Sequence, residues 1–521
     1  MYPTNKFEIE NIISKLKNKS SYGCDKLNNK ILKLIKTEIS TPLEIIFNKS
    51  IEMGEVPSRM KIAHVVPVHK GNSKHELTNF RPISLLTCIS KILEKIIHKQ
   101  IYNFLEKNAL LNDLQFGFRK NRSTIDAVTT FLGQLIKSKE NEDYAMGICI
   151  DLSKAFDTIN HDILLYKLNK IGIRGKAKDW LENYLKNRVQ YVRIYDERSN
   201  SYTLSNPQTI THGVPQGSVL GPLLFIIYIN DMNKSVKNGK CFGFADDTTI
   251  LVTHTTIEDL YINAYEDLEN LLDWLNANKL SLNFTKTCYI LFRSQIKQLE
   301  RNLPDLIISN NKIKQVENTK FLGLQIDSKL NWQYQINSII NKIKQNLFFF
   351  KSVKNMLPTF SKTLFYYAHV YSHLTYGTTL WGPLSSQTLL NKLRGKQDDI
   401  IKTLQTGKRT NTDSIYRELK ILKFEDILDF ELCKLMHKIK LNLVPLSLSN
   451  LFEDPTQQPA RKYNLRNSGI PRTAKHKRAI FNQSFLIKAH QSWRGKPQAL
   501  KDITEFKKYK HEFKNHIISR Y

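Results

Sequence analysis

The sequence predicts a mixed α/β (α+β) body followed by a mainly α-helical, basic C-terminal region. Three observations carry this. Short apolar runs bounded by turn residues alternate with longer stretches in which apolar residues recur every three or four positions. After a last short strand, Ile336, Ile339, Ile340, Ile343 and Leu347 open a helical region that runs to about Gly382. Composition shifts beyond Gly395. Between Pro455 and Arg478 stand Arg461, Lys462, Arg466, Arg472, Lys475, Lys477 and Arg478 with no acid, the pattern of a linker or exposed arm.

The elements follow in order. Ser90–Asn108 reads as a helix, because Ile92, Leu93, Ile96, Ile97, Ile101, Phe104 and Leu105 fall at three-to-four spacing. Ala145–Asp151 is a short apolar strand ending in an acid. Lys176–Lys186 is a helix after the Gly172 and Gly175 turn, and Ser218–Asn230 is a helix preceded by a loop. Phe242–Val252 divides into two apolar runs around Ala245-Asp246-Asp247, a hairpin with acids at its tip. Asp259–Leu275 is helical, with Leu260, Ala264, Leu268, Leu271, Leu272 and Leu275 along one stripe. Phe321–Asp327 reads as one short strand.

Composition bounds the partner. The 521 residues allow two to four domains, and the formal net charge is +30. Such an excess points to a polyanion, of which nucleic acid is the usual one. A membrane surface would need an apolar anchor, and the longest apolar run, Leu223–Ile229, is far shorter than a span requires. Met1–Lys30 lacks the apolar core of a signal peptide. Cys24, Cys88, Cys149, Cys241, Cys288 and Cys433 are scattered without a C-x-x-C pair, which suits free thiols in a reducing compartment. The expectation is a soluble, intracellular protein with no membrane partner.

The acids suggest chemistry. Two-metal phosphoryl transfer needs carboxylates that bridge two Mg²⁺ ions, one activating an attacking hydroxyl and one neutralising the leaving pyrophosphate. A strand ending in Asp151 and a hairpin tipped by Asp246 and Asp247 could supply them. An adjacent aspartate pair also caps ordinary exposed turns. Flanking apolar strands favour the metal reading, since they hold the acids at a sheet edge.

Seven ordered blocks then carry a specific resemblance. Phe242-Gly243-Phe244-Ala245-Asp246-Asp247-Thr248 resembles motif C of reverse transcriptases in the form used by non-LTR (LINE-type, jockey-like) retrotransposons. Ile150-Asp151-Leu152-Ser153-Lys154-Ala155-Phe156-Asp157, followed by His161, resembles motif A, and Gly213–Pro222 resembles motif B. Phe80–Leu86 and Gln115–Arg119 match the fingers motifs. Trp274-Leu275, Asn278-Lys279-Leu280, Asn283 and Lys286-Thr287 resemble motif D, and Phe321-Leu322-Gly323 motif E. Tyr376-Gly377 and Trp381-Gly382 continue the pattern. The resemblance implies a right-hand polymerase. Residues 1–54 would precede the fingers, 55–330 form fingers and palm, 331–395 the thumb, and 396–521 a basic C-terminal region.

It also implies roles. Asp151, Asp246 and Asp247 would be catalytic and hold two Mg²⁺ ions, with Mn²⁺ able to substitute, and the Leu152 carbonyl would complete the nucleotide-side metal. Phe156 would be the steric gate against a ribose 2′-OH; taken alone such a ring more often packs in a core, and the motif A context favours the gate. Lys70 and Arg81 would hold the incoming deoxynucleoside triphosphate, while Gln216 and Gly217 would lie at the nascent base pair. Lys286 is a candidate general acid for pyrophosphate, or a surface lysine. Phe321, Leu322 and Gly323 would form the primer grip. His64, His69 and His75 lack thiol or acid partners at ligand spacing and read as basic or hydrogen-bonding surface along the template path. Arg461–Arg478 could bind RNA, serve as an import signal, or stay solvated. Trp493 could stack on a base or belong to a small helical core.

The partners implied are an RNA template, a DNA primer and deoxynucleoside triphosphates. The resemblance begins at once, at Leu16–Leu34, so the chain is expected to lack the endonuclease that precedes such polymerases. Two functions stay open: an RNA-directed DNA polymerase, or a truncated, catalytically idle retroelement relic that binds RNA. Phe156 and Ala245 disfavour a viral RNA polymerase, and the wording of Val214–Pro222 disfavours an intron maturase. Nuclear residence follows only from the presumed integration chemistry.

Overall fold

The computed structural model of the chain describes residues 1–71, 73–141, 143–292, 303–404, 411–452 and 479–521. Arg461–Arg478 lies outside the described residues. The chain is mixed α/β with a helical C-terminal region, and it divides into two compact units. The first comprises Met1–Phe118, Asp151–Val236 and Leu268–Asn283; the second comprises Arg119–Ile150, Lys237–Asp267 and Phe284–Tyr521. Nine strands matter below: β1 (Ile62–His69), β2 (Phe80–Leu86), β3 (Tyr144–Ile150), β4 (Arg188–Asp196), β5 (Ser201–Leu204), β6 (Gln208–Ile210), β7 (Lys240–Phe244), β8 (Asp247–His254) and β9 (Cys288–Phe292).

In the first unit the sheet order is β2-β1-β4-β5, with β6 also on β4. β1 pairs antiparallel with β2, from Ala63↔Leu86 to His69↔Phe80, and parallel with β4. The helix Cys88–Lys107 buries Ile92, Leu93, Ile96, Ile97 and Leu105, the stripe its spacing predicts. The helix Lys176–Leu185 buries Trp180, whose indole N–H donates to Ser50 Oγ at 3.0 Å on the helix Lys36–Met53. The ring keeps its polar edge satisfied inside a dry contact, as a buried tryptophan must.

The helix Gly221–Tyr228 is apolar all round and buried on every side, so it is a core element. It is shorter than the expected Ser218–Asn230. Ser218 Oγ accepts the Gly221 amide at 3.0 Å, which makes the preceding residues a capped turn. The other early amides reach a buried carboxylate. Glu94, 1% exposed on the Cys88–Lys107 helix, accepts from Val219 N at 2.7 Å and Leu220 N at 3.2 Å, and also from Ser90 Oγ.

In the second unit Lys314–Gln315, β9, β3, β8 and β7 form one sheet in that order. The helix Thr124–Glu140 starts at a capping box between Ser123 and Asp126 and lays Phe131 against the rings of Phe242, Phe292 and Phe321 at 5.2–6.2 Å between centroids. Phe321–Asp327 is not one strand but a hairpin, Asn318–Phe321 with Leu324–Asp327. Leu322 (φ 45°) and Gly323 (φ 93°) turn left-handed between them, a turn the glycine makes easy.

The C-terminal region is helical, including Gln333–Val353, Gln387–Leu404, Phe424–Lys440, Phe485–Arg494 and Phe506–Ile518. Trp493 sits in the small helical core there, its ring 5.9 Å from His437 and 6.0 Å from Tyr509. Lys496 is paired with Asp429 at 2.5 Å. No described helix is long and apolar enough to cross a membrane.

Glu94→Ala is expected to leave the Val219 and Leu220 amides buried without an acceptor. That should cost roughly 2–3 kcal/mol of local stability and speed their hydrogen exchange about 30- to 150-fold. Unchanged exchange at both amides would show that the carboxylate does not anchor this helix.

Candidate active site

The acidic hairpin is set by main-chain pairing. β3 and β8 run antiparallel from Tyr144↔His254 to Ile150↔Thr248. β7 and β8 close at Phe244↔Asp247, so Ala245 and Asp246 form a two-residue turn, as the sequence predicts. Ala245 takes φ 59°, a left-handed value that suits such turns and costs a non-glycine residue about 1 kcal/mol or more. Ala245 is buried while Asp246 and Asp247 are exposed. Ile148, Ile150, Ile250 and Val252 are buried and hold the two strands. β3 ends at Ile150, and Asp151 is the next residue.

Within the first unit Asp151 begins a segment tied by its backbone. The Asn283 amide donates to the Asp151 carbonyl at 2.8 Å, and the Ser153 amide donates to the Ser281 carbonyl at 2.9 Å. Leu152 and Leu282 form an isolated antiparallel bridge between these bonds. Neither bond uses the Leu152 carbonyl.

Phe156 is half-buried, stacked on Phe225 at 4.5 Å and edge-on to Phe118 at 6.1 Å. Its carbonyl accepts the Val214 amide at 2.9 Å, and the Ile159 carbonyl accepts the Gly213 amide at 2.8 Å. These two bonds lay the motif B loop against the turn after Asp151. At Gly213 (φ 77°) a Cβ would stand 2.7 Å from the Asp157 carbonyl oxygen, and at Gly217 (φ 120°) 2.7 Å from that of Ser84. Both positions therefore demand glycine for conformation and for room.

Gln216 is held from both ends. Its carbonyl accepts the Ser84 amide at 2.7 Å, and its Nε2 donates to Asp157 Oδ1 at 2.9 Å. Burial pushes the Asp157 carboxyl above the ordinary range, against the lowering effects of the Gln216 bond and the charges of Lys154 and Lys70. The structure thus brings Lys70, Phe156, Gln216 and Gly217 to one locality of the first unit. Lys70 Nζ donates to the Thr78 carbonyl at 2.9 Å. Arg81 is exposed on β2, opposite Val68.

In the second unit Phe321 is buried against Phe131, and the Tyr376 hydroxyl donates to the Leu322 carbonyl. A Cβ on Gly323 would lie 3.2 Å from the Tyr376 ring. Lys286 is exposed. His75 is also exposed, whereas His64 packs edge-on to Tyr191 at 6.0 Å and His69 lies 5.2 Å from Phe80. Burial lowers the His64 pKa, so at this position the basic-surface expectation gives way to a neutral, ring-packed imidazole.

Three residues were given no site role from sequence, although Asp157 and His161 were named with motif A. Asp157 orients Gln216. His161, 8% exposed, meets the Gly213 carbonyl through Nε2 at 2.8 Å, and burial lowers its pKa, so a neutral ring donates that bond. Glu94 fixes the helix behind the loop. A local signal existed for Glu94, an acid set among apolar residues at helical spacing. The partners of the other two lie 52 to 59 residues away.

Residues 68–326 match the family model described as reverse transcriptase (RNA-dependent DNA polymerase). These residues form a reverse transcriptase domain. The chain's relatives include polymerases of non-LTR retrotransposons. It is 26% identical over 454 residues to the RNA-directed DNA polymerase from mobile element jockey of Drosophila melanogaster, covering 85% of this chain and 48% of that one. The jockey counterpart of Drosophila funebris is 28% identical over 470 residues, with 87% and 49% covered. The probable RNA-directed DNA polymerase from transposon BS of Drosophila melanogaster is 26% identical over 418 residues, with 77% and 45% covered. The chain spans about half the length of these relatives.

Reverse transcriptases depend on divalent metal. The exposed carboxylates at the hairpin are hard oxygen donors and fit such an ion. Among the described residues no three His, Cys, Asp or Glu side chains are already gathered around a metal position.

Because the folded Asp157 carboxyl titrates above its unfolded value, its favourable contribution is complete below about pH 4 and is lost as pH rises through the folded value. Asp157→Asn removes that loss and keeps an acceptor for Gln216. Thermal melts should show the variant gaining on the wild type between pH 4 and pH 7, and a gap that narrows with rising pH would refute the burial assignment.

Proposed function

We propose that the chain is an RNA-directed DNA polymerase that extends a DNA 3′-OH on an RNA template by two-metal-ion nucleotidyl transfer. The observation that carries this reading is the hairpin register. Pairing at Ile150↔Thr248 and Phe244↔Asp247 sets the acidic hairpin, with Asp246 in its turn and Asp247 opening β8, and supports this reading. Bound there, two Mg²⁺ ions would lower the pKa of the attacking hydroxyl and neutralise the leaving pyrophosphate.

The remaining groups bind and orient. Asp151 and Asp246 would hold both metals, Asp247 would complete the set, and the Leu152 carbonyl would serve the nucleotide side. Lys70 and the planar fork of Arg81 take the triphosphate oxygens of the deoxynucleotide. The Phe156 ring, braced by Phe225, occupies the volume a 2′-OH would need. Gln216, held at carbonyl and amide, presents a fixed surface to the nascent base pair, and Gly217 lets the backbone approach. Lys286 protonates the leaving pyrophosphate, and Phe321-Leu322-Gly323 grips the primer end. The formal charge of +30 suits the template and primer phosphates.

Primer extension on poly(rA)/oligo(dT) with Mg²⁺ tests the reading. Wild type should incorporate dTTP, and Asp246→Asn should lower the rate about 1000-fold, the equivalent of roughly 4 kcal/mol. A folded, RNA-binding wild type that extends no primer with Mg²⁺ or Mn²⁺ would replace the polymerase with an idle relic. Phe156→Ala should narrow the preference for dTTP over UTP by about 10- to 100-fold, on the scale of a small group admitted to a pocket. An unchanged ratio would return that ring to a packing role.

A further inference from the structure

Across the sheet of the second unit, Cys149 on β3 stands directly opposite Cys288 on β9, and Thr249 on β8 stands opposite Cys149 on its other side. Side chains at directly opposed positions share one face of a sheet. The row Thr249–Cys149–Cys288 therefore lies on one face. Thr249 is two residues from Asp247 along β8, so Asp247 shares that face one step nearer the turn. Cys149 is two residues upstream of Asp151.

The row is closed by hydroxyls. Thr249 Oγ1 lies 3.9 Å from Cys149 Sγ, and Thr319 Oγ1 lies 3.9 Å from Cys288 Sγ. Both cysteines are free and partly exposed, whereas Cys88, Cys241 and Cys433 are buried. Antiparallel partners have Cα atoms about 4.5 Å or 5.5 Å apart depending on the pair type, and both values fall inside the window of roughly 4.4–6.8 Å that a disulfide accepts. Only a small approach of the two strands is needed to bring the sulfurs into bonding range.

We propose that Cys149 and Cys288 are a modification site, a dithiol that a peroxide-class oxidant closes to an intrachain disulfide and that thiol reductants reopen. The Cys288 thiolate attacks one peroxide oxygen, the O–O bond breaks, and Cys288 becomes a sulfenic acid as hydroxide leaves. The Cys149 sulfur then attacks the Cys288 sulfur, the S–O bond breaks, and the departing hydroxyl takes the Cys149 proton to leave as water, while the hydroxide of the first step takes the proton Cys288 gave up on ionising. In sum, two thiols and one peroxide give one disulfide and two waters.

Cys288 is the better first nucleophile. The Cys149 thiol's bond to it, the Thr319 hydroxyl and the Lys314 charge together hold its thiol below the ordinary range. Burial pushes the thiols of Cys241 and Cys433 up to about 12, which leaves them unreactive. A bridge would shorten the cross-strand Cβ separation from about 4.5–5.5 Å to about 3.8 Å and draw β9 onto β3. That contraction occurs beside the strand ends that carry the carboxylates, so closure should slow nucleotidyl transfer. The slowing rests on the polymerase reading; formation of the bridge does not.

The experiment treats the full chain with hydrogen peroxide and maps its peptides by mass spectrometry without reduction. The expected product is a Cys149–Cys288 linked peptide pair, with the other four cysteines still alkylatable and the link removed by dithiothreitol. Primer extension should fall at least about fivefold on oxidation, recover on reduction, and stay unaffected by peroxide in Cys288→Ser and Cys149→Ser. Absence of the linked peptide in the wild type overturns the site, and that measurement needs no variant to fold. A linked peptide with undiminished extension overturns the control of catalysis. A chain that extends no primer before oxidation bears on the polymerase reading alone, since the peptide map still decides the site.

Discussion

Glu94 carries a carboxyl group into the interior on the inner face of an otherwise apolar helix. Left unbonded there it would cost several kcal/mol, so its oxygens must find donors. They find the Ser90 hydroxyl and the amides of Val219 and Leu220. The helix those amides introduce, Gly221–Tyr228, has no polar face of its own. Apolar packing can bury such a helix but says little about where along its axis it begins. The carboxylate supplies that missing direction. With the start fixed, the preceding turn falls where the Gln216 carbonyl meets Ser84 and its amide meets Asp157.

The second unit solves its positioning problem differently. There the ladder of β3 with β8, and of β8 with β7, sets the course of the chain through main-chain bonds alone. Register is rigid because a slip of one residue would turn the buried set Ile148, Ile150, Ile250 and Val252 to the opposite face. The exposed acids ride on that rigidity. Asp246 in the turn and Asp247 at the start of β8 stand exposed, where water screens the repulsion between them.

Much of this was legible in sequence, for a physical reason. The helix Cys88–Lys107 and the acidic hairpin declare themselves through local period, which depends only on neighbours along the chain. The Phe321–Asp327 segment misled because its alternation is that of a strand. Gly323 carried the turn signal, and the course of the hairpin rests on the left-handed pair Leu322 and Gly323. The links from Asp157 to Gln216 and from His161 to Gly213 were not legible, because each joins residues more than fifty positions apart through one bond. His64 shows the same limit: nothing near it in sequence announces the Tyr191 ring that takes its imidazole out of water.

The motif B loop is held almost wholly by its main chain. The amides of Gly213 and Val214 and the carbonyls of Gly213 and Gln216 make its ties, and the glycines at 213 and 217 supply the clearance. Its path is therefore largely decoupled from the identity of the side chains it displays. A lineage, or an engineer, can change the side chain at position 216, and with it the chemistry this loop displays, while the scaffold beneath stays put. Diversity at the surface of this loop would coexist with near-immobility of its two glycines.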